Sequence, residues 1–199
     1  MKNKIIQTIL ITIAVVLGYL IYDSIMSPVR FNETKNAREK VVIEYLKGIR
    51  SAEFIYRQLN NRYTGSFDTL INFMGTAKIP VVKMVPDPTD TTYTRTINDT
   101  VGYVRVADSL FGKHPKFDYH KINIIPFSQD STFKLQAGVI KKGGVDVNVF
   151  EASAPFTTYL DGMDEQLVIN LVASQKDIKK YPGLKVGSMT EPSTDGNWE

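Results

Sequence analysis

Hydrophobic and polar positions divide this chain into two unequal regimes. From Ile5 to Tyr22 the sequence reads IIQTILITIAVVLGYLIY and carries no charge. Such a run is long enough to cross a hydrocarbon core of about 30 Å as a helix. Ile5, Ile9, Ile13, Leu17 and Leu20 mark its apolar surface. Beyond Asp23 the apolar residues become periodic instead. Ser27-Pro28 predicts a kink or break, because proline lacks the amide donor and clashes with the preceding turn. Asn32 is then the expected N-cap of a second helix reaching about Asn60. Along it Val42, Tyr45, Ile49, Ala52, Tyr56 and Leu59 recur at alternating steps of three and four, a heptad-like stripe. Arg38, Glu39, Glu44, Lys47, Arg50, Glu53 and Arg57 fall on the other faces.

Asn60 to Gly65 reads as a turn. Ser66 is expected to cap a short helix presenting Phe67, Leu70, Ile71 and Met74, with Gly75 as its stop. Pro80, Pro86 and Pro88 predict extended, loop-like chain, and Asp87–Asp99 an exposed connection. Strands are expected at Val101–Val106 and Lys121–Phe127. Phe133, Leu135, Ala137 and Val139 alternate with polar or small residues, as do Val145, Val147 and Val149. Lys141-Lys142-Gly143-Gly144 between them predicts a tight hairpin. Leu167–Val172 fits a strand by its β-branched content, though helix is open. Ser174-Gln175-Lys176-Asp177 resembles a capping box opening a short helix that Tyr181-Pro182-Gly183 ends. The pattern is α+β: a transmembrane helix, then a long amphipathic helix packed on an antiparallel meander sheet. It divides into a cytoplasmic tip and anchor (1–27), an external domain (28–190) and a polar, loose tail (191–199).

Charge sets the expected orientation. Lys2 and Lys4 precede the span, and the next basic residue after Asp23 is Arg30. Positive charge stays on the cytoplasmic side, so the N-terminus is expected inside and the rest outside. The rival reading, a cleaved signal peptide, usually has an apolar core of roughly 7–15 residues and an Ala-x-Ala-like site, which Asp23–Pro28 lacks. With no cysteine, the external part must be held by a hydrophobic core. The net charge is +3, and Lys and Arg are dispersed, unlike a nucleic-acid footprint.

The catalytic inventory is short. His114 and His120 flank Asp118, but their spacing is not that of two zinc ligands on one helical turn. No nucleophile elbow, phosphate loop or dinucleotide fingerprint occurs. Asp87, Asp90 and Asp99 lack the order of a calcium-binding EF-hand loop. Asp23 sits at the outer end of the span, where solvation at the interface is the simpler reading than a proton path. No cofactor or metal is expected.

Leu46–Tyr56 places Ala52, Glu53 and Tyr56 before a turn, and Asn61-Arg62-Tyr63-Thr64-Gly65-Ser66-Phe67 follows. Together with Val85-Pro86-Asp87-Pro88 and Asp195-Gly196-Asn197-Trp198, these segments resemble type IV pilins and type II secretion pseudopilins over roughly the first 90 residues and the tail. The chain departs from that pattern at its start. Met1-Lys2-Asn3-Lys4 has neither the Gly-Phe processing site nor the Glu five residues into the processed chain. The resemblance implies a pilin-like architecture in a non-processed relative.

The expectation is a structural subunit of an envelope secretion or transport complex in a two-membrane bacterium, single-pass in the inner membrane, with its domain in the periplasm. Its expected partners are the lipid bilayer and other membrane proteins, and no nucleic acid. Arg38, Lys47, Arg50 and Arg57 are the expected partner-binding residues. The alternatives are an accessory subunit of a proton-driven biopolymer-transport motor and a membrane-tethered hydrolase or ligand-binding domain.

Overall fold

The computed structural model describes residues 2–86, 96–112 and 117–199. The chain opens with one helix, α1 (Lys2–Asn60), that continues through Pro28. The break expected at Ser27-Pro28 is therefore absent, and Asn32 lies inside the helix rather than capping it. Pro28 removes one amide donor to the preceding turn, yet the helix runs on past it to Asn60. The cost is one backbone hydrogen bond in a helix of 59 residues.

Beyond α1 come α2 (Phe67–Thr76), a ribbon of β1 (Lys78–Pro86) and β2 (Thr96–Arg105), and α3 (Val106–Phe111). Then follow β3 (Lys134–Lys142), β4 (Val145–Pro155), α4 (Phe156–Tyr159), α5 (Glu165–Asp177) and β5 (Gly183–Gly187). The strands form two antiparallel sheets, β1-β2 and β3-β4-β5. The architecture is α+β, as the sequence pattern predicts.

The core lies where α1 crosses the three-stranded sheet. Val42, Leu46, Ile49 and Ala52 are fully buried there, with Phe150, Ala152, Ala154 and Val186 from the sheet. The buried stripe is shifted slightly from the expected one. Leu46 is inside, Tyr45 is at the edge and Leu59 is outside at 49% exposure. Gly48 lets another layer approach: a Cβ there would meet the Phe111 ring at 3.1 Å. Leu70 and Met74 of α2 are fully buried, as their spacing predicts, and the helix runs one residue past Gly75.

The hairpin forms as expected. β3 pairs with β4 from Lys134↔Ser153 to Lys142↔Val145, and Gly143 and Gly144 take φ of +60° and +82°. Both values suit a two-residue turn that matches strand twist.

Other expectations are corrected. Residues 78–86 form a strand rather than a loop, and 96–99 belong to β2. Asp87, Pro88 and Asp90 lie outside the described residues. β2 ends at Arg105, where Val106 opens α3. Lys121–Phe127 is not a strand. A short 3-10 turn at Tyr119–Lys121 leads into a loop in which Ile122 and Ile125 plug the core and Phe127 takes φ of +65°. Leu167–Val172 is helical within α5, because Leu167, Val168, Leu171 and Val172 fall on one helical face. Asp164 caps that helix by accepting from Leu167 N–H at 3.0 Å. Ser174–Asp177 closes the helix instead of opening one.

The tail is not loose. Gly187 N–H donates to the Asp195 carbonyl, and Asn197 N–H to that of Lys185, each at 3.0 Å. Asn197 Oδ1 accepts from Lys185 N–H at 3.1 Å, and its Nδ2 donates to the Gly183 carbonyl at 2.9 Å. The tail thus borders β5, and Trp198 packs against the core.

Candidate functional site

Among the described residues, none in the first half of α1 is buried. Ile5, Ile9, Ile13, Leu17 and Leu20 are 49–58% exposed. The span within this helix has a mean hydropathy of 2.3 and no part of it is covered by the rest of the chain. One helix in the described residues is thus long and apolar enough to cross a membrane.

The same helix then enters the domain. Its inward face is Val42, Leu46, Ile49, Ala52 and Tyr56; its outward face is Ala37, Lys40, Glu44, Lys47, Ser51, Phe54 and Gln58, all exposed. These outward positions also follow steps of three and four. Basic and acidic groups alternate at Lys40, Glu44 and Lys47, and Phe54 adds an aromatic ring that is 48% exposed. Phe54 lies off the Val42–Leu59 stripe, so spacing alone does not single it out.

The four cations expected to bind partners sit in different settings. Lys47 is exposed. Arg38 Nη1 donates to the carbonyls of Tyr159 and Asp161, each at 2.9 Å, and its guanidinium lies 5.2 Å from the centre of the Phe127 ring. Arg50 pairs with Glu199 at 2.8 Å and donates to the Thr194 carbonyl at 3.3 Å. Arg57 donates to the Tyr63 hydroxyl at 3.1 Å and lies over the same ring. Three of the four thus stitch α1 to its own domain, and Lys47 stands on the outward face.

Glu53 corrects the expected polar face: it is fully buried. Its Oε2 accepts from Thr64 N–H at 3.0 Å, and burial pushes its carboxyl up to about 8. Burial likewise raises the Tyr159 hydroxyl, reinforced by the Glu39 carboxylate 3.4 Å away.

His114 lies outside the described residues. His120 sits in the 3-10 turn, where Asp118 Oδ1 accepts from its backbone N–H at 3.0 Å, so Asp118 serves the turn. A shallow, open cleft lies between α2 and that turn, lined by Asp68, Ile71, Asn72 and His120 among others. Among the described residues no three His, Asp or Glu side chains are grouped to hold a metal ion.

Comparison with protein-family models, with curated proteins and with solved structures finds no match for this chain.

Proposed function

We propose that this chain is a single-pass inner-membrane protein whose pilin-like domain stands in the periplasm as a structural subunit of a secretion or transport complex. The observation that carries this reading is the continuity of α1. One helix contains the uncovered apolar span and the inward stripe that nucleates the domain core. A helix rising about 1.5 Å per residue makes such an arrangement a stiff post rather than a tether. Arg38 and Arg50 fasten the domain to that post by long-range contacts. The outward face from Lys40 to Gln58 is the part of the post left for neighbouring membrane proteins, with Lys47 and Phe54 as its central contacts.

The test is a charge reversal in the full-length chain. Lys47→Glu, alone or with Phe54→Ser, leaves the melting temperature nearly unchanged, since exposed charges contribute little to stability. It weakens co-purification with membrane partners, because complementary charge governs encounter and register. A complex that survives both changes, together with turnover of a small substrate by the purified chain, overturns the structural reading in favour of an anchored enzyme.

A further inference from the structure

Glu53 holds a position that the subunit reading does not use. It sits in the last two turns of α1, fully buried, and reaches the turn that leads into α2. That turn hangs on Thr64, itself 8% exposed. Thr64 N–H is held by Glu53 Oε2 at 3.0 Å, and the Thr64 hydroxyl accepts from Ser66 N–H at 3.2 Å, at the start of α2. One carboxyl oxygen therefore anchors the joint. The other, Oε1, is equally buried and has no hydrogen-bond partner among the described residues.

Charged neighbours do not neutralise this carboxyl. On α1, Arg50 turns to Glu199 and Arg57 to the Tyr63 hydroxyl. In the turn Arg62 is exposed. On the elements packed against α1, Asp68 of α2, Asp108 of α3 and Asp146 of β4 are exposed, while Glu151 of β4 pairs with Lys185 of β5 at 3.2 Å. The titratable hydroxyls nearby are those of Tyr56 and Tyr63. An ionised Glu53 would be a buried charge facing one neutral donor, which is costly. The neutral acid keeps the Thr64 bond and leaves only a hydroxyl to accommodate.

We propose that Glu53 is a proton-linked latch at the joint between α1 and α2: its neutral carboxyl holds the turn at residues 61–66 closed, and proton loss favours opening. The linkage has a definite sign. The folded carboxyl titrates near 8 against an ordinary value of 4.5, so the closed form binds the proton more tightly than an open or unfolded one. The stabilisation is fully present below about 4.5, is lost as pH rises towards 8 and is flat beyond.

Hydrogen exchange on the full-length chain in detergent micelles tests this. Peptides covering residues 61–66 are compared in wild type and Glu53→Gln at each pH, so that the intrinsic pH dependence of exchange cancels. Glutamine keeps the acceptor for Thr64 and cannot ionise. The wild-type to variant ratio is expected to rise from about pH 5 to pH 8 by up to ~10-fold per unit, while distant peptides stay matched. A ratio constant with pH overturns the latch and leaves Glu53 a merely structural group. If Glu53→Gln does not fold, isotope-edited infrared of the wild type decides instead. A protonated carboxyl band that persists at neutral pH and disappears near 8 supports the latch, and the absence of any protonated carboxyl band at pH 6, where ordinary glutamates are ionised, overturns it.

Discussion

Arg38 lies on a helix face that charge patterning assigns to solvent, yet its guanidinium bridges the carbonyls of Tyr159 at the end of α4 and of Asp161 just beyond it. Hydrogen bonds from a charged donor contribute about 1.5–3 kcal/mol each, and the carbonyls left behind would lose their partner. Arg38→Ala should therefore destabilise the chain by about 2–4 kcal/mol in a denaturant titration, with Arg38→Lys recovering only part of it. Ile49 is fully buried between α1 and the sheet. Ile49→Asp places an unpaired charge there, and loss of the folded circular-dichroism signal is the expected outcome. Ile49 was legible from its spacing. Glu53 was not, because helical periodicity assigns a face by phase. The Glu53 carboxyl group beside Ala52 turns inward, where the turn at Thr64 offers it an amide donor. That contact joins residues eleven apart in sequence.

At the scale of elements, legibility followed how local the deciding interaction is. The β3-β4 hairpin was readable because alternation and the Gly143-Gly144 pair both act within a few residues. Gly143→Ala meets no steric obstacle, but its φ of +60° disfavours a side chain, so a loss of about 1 kcal/mol is expected from thermal melts. The ribbon β1-β2 was harder to read. Pro80 argues against a central strand, yet a two-stranded ribbon consists only of edges, where proline is admitted. α5 was obscured by β-branched residues, whose preference yields when a cap such as Asp164 and an apolar helical face agree. The tail reads as loose from composition, since its bonds to β5 and Arg50 are long-range. Removing residues 191–199 strips Trp198 from the core and leaves the Arg50 guanidinium without its carboxylate. The truncated chain is expected to melt several degrees lower, a cost of about 2–3 kcal/mol, and to show faster exchange along β5.

For the whole molecule, the decisive feature is a helix that changes environment along its length: uncovered and apolar through Tyr22, and packed on one side from Phe31 onward. The long apolar helix was legible because an uncharged run of that length needs no tertiary context. The continuity across Pro28 was not, since local rules place a break there. The account's central claim is that this helix crosses the membrane once and presents the domain outside. The chain has no cysteine, so single cysteines report position without background. The most direct measurement labels intact cells with a membrane-impermeant thiol reagent, using Ser174→Cys in α5 and Asn3→Cys before the span. Its readout is followed through alkaline carbonate washing. The account predicts that Ser174→Cys is labelled in intact cells once the outer membrane is permeabilised, that Asn3→Cys is labelled only after the inner membrane is opened, and that both stay in the membrane fraction at full length. Labelling of Ser174→Cys only after inner-membrane lysis, or release of a shortened soluble chain, would contradict it.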